Sequence, residues 1–360
     1  MPTQFKHKEP LIGLTIEQLL EILSNLGVKK FRATQIYQWL HHHKVKTFDE
    51  MTNLSKELRS ELDARFRFGT LKLAQRQESV DGTRKYLWQL EDGKQIESVF
   101  IPEETRNTIC ISSQVGCALG CTFCATAQMG FLRNLSAGEI VEQVVKVQQD
   151  NEPRITNVVF MGMGEPFLNY SRVIQSAQIM CDPHGLAIAA KKITISTVGI
   201  VPRIRQYADE GHNFSLAISL HSAIQEKRRE IMPVADKFSL KELMDSAHYY
   251  SKKVNKRIFF EYVLLEGIND RAKHGKALKS LLGQLKCKLN LIPYNNTGIG
   301  YKASGDDSME PFLSELATAP FMVTFRKNRG TDIAAACGQL FIESEDKSRS
   351  MGIPQAQSAD

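Results

Sequence analysis

No uninterrupted apolar run in this 360-residue chain approaches the ~20 residues that a membrane-spanning helix needs. The opening stretch MPTQFKHKEP has no apolar core of the kind that secretory signals carry. Together these absences set the expectation of a cytoplasmic protein without a membrane partner. Cysteine is sparse: Cys110, Cys117, Cys121, Cys124, Cys181, Cys287 and Cys337 are seven in all, an odd number in a long chain. That count argues against a secreted disulfide framework and for cysteines used in cofactor binding and catalysis. Neither sign of charge dominates, with 46 Lys+Arg against 40 Asp+Glu and a net charge of +6, so a polyanionic partner is permitted but not demanded. No internal repeat is evident, which removes solenoid architectures.

What is present divides the chain into pieces. Within residues 14–65, Thr15 is placed as an N-cap and Ile16, Leu19, Leu20 and Leu23 share one helical face; the stretches 31–40 and 54–66 repeat that period. From residue 70 the period shortens to two, with Asp81-Gly82 and Asp92-Gly93 as hairpin turns between strands at 71–78, 85–90 and 95–101. Beyond residue 107, apolar strands near 108–112, 157–163, 192–198, 214–220, 258–265 and 289–293 alternate with helices such as 136–149, 240–253 and 272–285. This alternation predicts a parallel sheet with right-handed crossovers. The expected fold is therefore α/β, a partial (β/α)6 barrel with its chemistry at the C-terminal strand ends. The expected division is a helical accessory, RNA-binding domain at 1–68, a small antiparallel β extension at 69–105, the barrel at 106–345, and a polar, disordered tail at 346–360.

Cys117, Cys121 and Cys124 are spaced C-x3-C-x2-C, between the strand ending near Ser112 and the helix opening at Ser136. An iron–sulfur cubane normally takes four cysteine thiolates. Three thiolates leave one iron open to a small chelating molecule, and this spacing is the signature with which radical S-adenosylmethionine (SAM) enzymes offer that iron to SAM. A zinc site is the alternative. Structural zinc takes a closed set of four ligands, and no second Cys or His pair exists here, yet spacing alone leaves zinc open. Other candidates stand at strand ends: Gly162-Met163-Gly164-Glu165-Pro166, Ser196, Ser219-Leu220-His221 and Pro293-Tyr294-Asn295. Each alone reads equally well as a turn or a strand cap. Four of them at one rim suit the carboxylate, ribose and adenine edge of a polar cofactor. Basic clusters occur at Lys29-Lys30-Phe31-Arg32, His41 to Lys46, Lys252 to Arg257 and Arg326 to Arg329; aromatic residues interleave two of them, which favours RNA.

The run from Cys110 through Gln114-Val115-Gly116-Cys117 to Gln128, together with Gly162 to Pro166, Ser219 to His221 and Asp332 to Leu340, closely resembles the RlmN/Cfr family of radical-SAM RNA methyltransferases. The resemblance runs from about residue 10 to 341. It implies a [4Fe-4S] cluster on Cys117, Cys121 and Cys124, with SAM held by Gly164, Glu165, Ser196, Ser219, Leu220, His221 and Asn295. It also implies methylation of C2 of an adenine in 23S ribosomal RNA near the peptidyl transferase centre, and of the adenine 3′ to certain tRNA anticodons. An adenine C2 is electron-poor and its C–H is not acidic, so a radical route is required. By resemblance, Cys337 takes a methyl group from one SAM. A second SAM, cleaved reductively to a 5′-deoxyadenosyl radical, removes hydrogen from that methyl group, and the thio-methylene radical adds to C2. Glu97 matches the proton acceptor, and Cys110 attacks Cys337 to release the product as a disulfide.

Without the resemblance, Cys110 reads as a buried small apolar residue and Glu97 as a solvent-facing strand residue. Cys181 and Cys287 read as structural, and His41, His42 and His43 as surface residues. Cys337 follows what reads as a flexible basic loop. One departure from many relatives is Lys302-Ala303-Ser304 after Tyr301, in a segment acidic at Asp306-Asp307, which leaves its RNA contacts open. The branch that methylates C8 of the same adenine is the alternative; the Gln114 to Cys117 run favours the C2 branch. A non-catalytic, zinc-containing RNA-binding protein is a further alternative. The enzyme reading also calls for an external flavodoxin-like or ferredoxin-like electron donor and a monomer.

Overall fold

The computed structural model describes residues 8–43 and 45–342. The expected tail from Asp346 falls outside them. Three helices open the chain: α1 (Ile16–Ser24), α2 (Lys30–His41) and α3 (Lys56–Arg65). Thr15 caps α1 in a reciprocal capping box with Gln18, and Ser55 caps α3. Their apolar faces close on a core of their own, with Leu19, Leu23, Ile36, Leu40, Phe48, Met51 and Leu62 buried together. His41 departs from expectation. It is buried against the Tyr37 ring, 4.5 Å between centroids, while His42 and His43 are exposed.

The rest of the described chain is organised by one ten-stranded sheet whose strands lie in space in their sequence order. β1 (Lys72–Glu78), β2 (Arg84–Gln89), β3 (Gln95–Glu103) and β4 (Arg106–Cys110) are antiparallel. β4 then pairs in parallel with β5 (Asn157–Phe160). β6 (Ile193–Thr197), β7 (Ser215–Ser219), β8 (Ile258–Leu264), β9 (Cys287–Pro293) and β10 (Met322–Phe325) continue the parallel run. Between these strands run α4 (Ala137–Asp150), α5 (Tyr170–Cys181), α6 (Val201–Glu210), α7 (Gln225–Ile231), α8 (Leu240–Val254), α9 (Ala272–Leu282) and α10 (Asp306–Leu316). Strand–helix alternation has produced the α/β barrel architecture anticipated from the sequence.

Three features go beyond the sequence reading. The antiparallel strands are not a separate sheet; they extend the barrel sheet across its β4 edge. A seventh parallel strand, β10, joins the six anticipated ones, too short and too exposed to carry a readable alternation. β5 stops at Phe160 rather than Met163, because the Gly162 N–H turns to the Ile111 carbonyl and the Met163 N–H to the Ser112 hydroxyl. The acidic pair Asp306-Asp307 sits in the first turn of α10, where negative charge complements the helix dipole.

Where the helical module passes into the sheet, the buried Glu142 carboxylate on α4 accepts the backbone N–H groups of Thr70 (2.7 Å) and Leu71 (3.1 Å). Replacing it strands both donors away from water. Glu142→Ala is expected to cost about 2–4 kcal/mol, the sum of two orphaned donors, read from urea melts against the parent protein.

Candidate active site

The C-terminal ends of the parallel strands surround a cavity lined by Cys117, Cys121, Cys124, Gly164, Glu165, Ser196, Ser219, His221, Glu261, Arg326 and Cys337. The cysteine loop leaves the short strand Gln114–Gly116, which pairs with Phe131–Asn134. Gly116 has φ +72°, and a Cβ there would sit inside the Gly130 carbonyl oxygen, so no side chain is accommodated. That close approach lets the Cys117 N–H bond Gly130 O at 2.8 Å and fixes where the loop begins. Cys124 then caps the short helix Ala125–Gln128.

Glu165 is buried, and its carboxylate accepts the N–H groups of Phe167 (3.0 Å) and Val198 (2.9 Å). Burial pushes its pKa up to about 7 against the pull of those donors and of the Thr197 hydroxyl. Gly164, with φ +99°, lies so close to Gln114 that a Cβ would come within 2.5 Å of that side chain. Gln114 in turn accepts the Glu165 N–H at 2.8 Å, so the Gln114 run and the Gly-x-Gly-Glu-Pro turn brace each other. His221 adopts φ +55°, accepts the Val263 N–H on Nδ1 at 3.0 Å, and meets Phe123 edge-on at 4.9 Å. Burial, then the nearby Arg228 charge, lowers its pKa to about 3, so its ring is neutral.

Two expected cofactor residues stand back from the lining. Leu220 is fully buried in the core. Asn295 donates to the Cys337 carbonyl at 3.1 Å and leaves its own buried Oδ1 without a partner among the described residues. Cys110 and Glu97 are also absent from that lining; Cys110 fits its bland reading as a buried core residue, whereas Glu97 does not. Glu97 is buried, not solvent-facing. Cys110 is buried, and burial followed by the Cys337 sulfur pushes its thiol up to about 12. Both thiols are free in this structure, so the expected Cys110–Cys337 disulfide is not formed.

The segment carrying Cys337 is tied down rather than loose. Asp332 accepts from the Ser79 hydroxyl (2.6 Å) and the Val80 N–H (3.2 Å), and the Gly330 N–H donates to Asp81 at 3.0 Å. Further along, the Ala125 N–H donates to Gly338 O (2.8 Å) and the Thr126 hydroxyl to Leu340 O (2.6 Å), which joins the segment to the cysteine loop. Four charged groups were not read from the sequence as residues of this site. Arg228 is buried, its Nη2 donating to Val198 O at 2.7 Å and its Nε to Leu220 O at 3.2 Å; burial lowers its pKa to about 10, with the Cys121 sulfur pulling the other way. Arg326 turns into the cavity, where the Cys337 sulfur and then Glu261 raise its affinity for its proton. Glu261 is buried, its Oε2 without a partner among the described residues. Lys85 pairs with Glu97. Arg228 and Arg326 sit in runs of basic residues that look like solvated faces, so no local signal marks them.

The donor set fits a cluster held at three corners. Burial pushes Cys117 up to about 12 and Cys121 and Cys124 upward as well, with the neighbouring thiols adding to the shift at Cys121, so three thiolates coexist there only against strongly bound positive charge. Among the described residues no three His, Cys, Asp or Glu side chains converge as a single ion would require. In a cubane each thiolate meets its own iron, so convergence on one point is unnecessary. Cys121→Ala, reconstituted anaerobically with iron and sulfide, is expected to lose the brown visible absorption and its acid-labile sulfide; retention of both would show that these cysteines are not the ligands.

Residues 10–67 match the family described as ribosomal RNA large subunit methyltransferase N-terminal domain, and residues 111–274 match the radical SAM superfamily. A probable dual-specificity RNA methyltransferase RlmN of Alkaliphilus oremlandii is 47% identical over 92% of this chain and 97% of its own length. The protein of the same name from Geobacillus kaustophilus is 44% identical over 92% of each. The crystal structure of a radical SAM methyltransferase from Sphaerobacter thermophilus superposes with a TM-score of 0.89 at 38% identity, over 92% of this chain and 99% of that one. With three cysteines at the mouth of such a barrel and relatives of this closeness along nearly its whole length, the chain belongs to the RlmN family of radical-SAM RNA methyltransferases.

Proposed function

We propose that the protein methylates C2 of a specific adenine in the peptidyl transferase region of 23S rRNA, and the adenine 3′ of the anticodon in some tRNAs, through a methylated Cys337. The observation that carries this reading is the sharing of one cavity by the Cys117–Cys121–Cys124 triad and Cys337, with the buried Cys110 thiol under the influence of the Cys337 sulfur and the buried Glu97 bonded to the Phe341 N–H. The relatives' name, dual-specificity RNA methyltransferase, supports two RNA substrates. A [4Fe-4S] cluster on the three cysteines, with SAM on its open iron, would supply one-electron cleavage of SAM and with it a carbon-centred oxidant.

The chain's own residues divide the remaining work. Glu165, Ser196, Ser219 and His221, with the Gly164 backbone, offer SAM a carboxylate, hydroxyls and an imidazole from the lining, and Asn295 an amide edge from behind it, in a partly enclosed cavity where each hydrogen bond counts for more than in water. Cys337 attacks the SAM methyl carbon as a thiolate, beside the Arg326 guanidinium; the sulfonium S–CH3 bond breaks and its electron pair leaves with neutral S-adenosylhomocysteine. After the methylene carbon has joined adenine C2, Glu97 takes the C2 proton, and a cluster on Cys117, Cys121 and Cys124 would supply the acceptor for the one electron that the adduct must shed to become a closed-shell thioether. Cys110, as a thiolate, then attacks the Cys337 sulfur. An S–S bond forms as the S–CH2 bond breaks, the electron pair passes to the methylene carbon, and a proton converts it to the methyl product. A flavodoxin-like or ferredoxin-like protein serves as electron donor, and the protein acts as a cytoplasmic monomer; among the described residues no helix is long and apolar enough to cross a membrane.

The test is mass spectrometry of ribosomal and transfer RNA from a deletion strain, with and without the gene restored. Loss of the methyl group from adenine C2 is expected; loss from C8 instead would transfer the protein to the other branch, and no loss would end the proposal. Cys110→Ala is expected to form methylated Cys337 normally, to accumulate a covalent protein–RNA adduct on denaturing gels, and to release no methylated RNA.

A further inference from the structure

Strand register puts three chemically active side chains on one face of the antiparallel half of the sheet. Val99 on β3 stands opposite Lys85 on β2 and Cys110 on β4. Directly paired residues share a face, and so do residues two apart along a strand. Lys85, Val99 and Cys110 therefore form one row, with Glu97 two residues back on the same face. The opposite face carries Tyr86 and Trp88, whose polar atoms are spent on Asp150 of α4 and on Ser98.

Across this row the Lys85 ammonium meets the Glu97 carboxylate at 3.1 Å, with side-chain exposures of only 12% and 5%. The other carboxylate oxygen of Glu97 accepts the Phe341 N–H at 3.1 Å, and Lys85 also donates to the Ala334 carbonyl at 3.4 Å. Ala334 and Phe341 flank Cys337 in the chain. The pair thus grips both ends of the segment that carries the methyl-bearing sulfur.

We propose that Lys85 is the positioning residue for the proton acceptor: it holds Glu97 as an aimed carboxylate under the Cys337 segment, so that the base is ready when the RNA carbon arrives. This rests on the reading of Glu97 given above. The physical need is plain, since an unpaired buried carboxylate favours its protonated form, which cannot accept a proton. Burial does raise the Glu97 pKa, and the Lys85 charge is the largest influence pulling it back. Among the described groups acting on that carboxylate, Lys85 from β2 is the titratable one, and the other is the Phe341 backbone N–H. A raised pKa moves the loss of base to higher pH, so without Lys85 the base is missing at pH values where the parent protein still has it.

The test compares Lys85→Met, Lys85→Arg and Glu97→Gln in the reconstituted full chain with ribosomal RNA, following methyl-Cys337 by intact mass, the protein–RNA adduct on denaturing gels, and the pH profile of RNA methylation. For Lys85→Met the expected result is unchanged methyl-Cys337, accumulation of adduct near neutral pH, and an acid limb displaced upward by roughly 1–3 pH units, so that raising the pH restores turnover. Lys85→Arg, which keeps the charge, is expected to recover most of the parent profile. A uniform loss at every pH with no adduct, or loss of methyl-Cys337 itself, would reduce Lys85 to a structural latch and overturn the inference. An unshifted profile in Lys85→Met beside an inactive Glu97→Gln would overturn it while leaving Glu97 in place; a fully active Glu97→Gln would instead bring down the reading of Glu97 on which it rests.

Discussion

Everything at the mouth of this barrel depends on the hydrogen-bond register between β3 and β4. At this seam an antiparallel ladder hands over to a parallel one, since β4 pairs antiparallel with β3 and parallel with β5. Side chains alternate faces along a strand, so a slip of one residue here would put Glu97 and Cys110 on opposite faces of the sheet. The seam is protected accordingly. Gln143 of α4 both donates to and accepts from the Ser112 backbone, and the Ser112 hydroxyl donates to the Glu97 carbonyl at 2.6 Å. Antiparallel strands that look like an appendage in the sequence are the wall that carries Glu97, the base proposed above.

The site concentrates charge where a fold would ordinarily avoid it. Glu97, Glu165 and Glu261 are buried acids, Arg228 is a buried base, and burial raises the thiols of the cysteine triad. Burying such groups costs stability unless partners offset it, and here the offsets are incomplete, as the unpartnered oxygens of Glu261 and Asn295 show. A cofactor that brings ammonium, carboxylate and ribose would complete several of these interactions at once. Binding and folding are then coupled at this rim, and the empty-handed protein is expected to be the less stable form.

Much of the scaffold was legible because its signals are local. The Thr15 cap, the Asp-Gly hairpins, the six strand cores and the spacing of Cys117, Cys121 and Cys124 each need only a few neighbouring residues to be read. The helices Tyr170–Cys181, Val201–Glu210, Gln225–Ile231 and Asp306–Leu316 went unnamed; the last hides its apolar face, Phe312 and Leu316, behind a run of acids. What local pattern could not give was which charges are inside. Arg228 neighbours Arg229, and Arg326 neighbours Lys327, and only three-dimensional packing sends the first of each pair inward and the second outward. His41 failed the same way, since its burial comes from Tyr37 beneath it and from Gly185 on a distant turn. Glu97 and Lys85 were invisible as a pair because they belong to different strands.

The fastening of the Cys337 segment at both ends has a consequence for the substrate. A sulfur held between Gly330 and Phe341, each end knotted to the wall beneath it, sweeps only a short arc and does not leave the barrel mouth. On the function proposed above, the travel falls to the nucleic acid: the target purine swings out of its stack and enters the protein, at an unstacking cost of a few kcal/mol. Nucleotides at bends, bulges and loop tips, whose neighbours already hold them loosely, meet that cost most cheaply. A short tether thereby becomes a filter for RNA shape, which selects among adenines before any base edge is read.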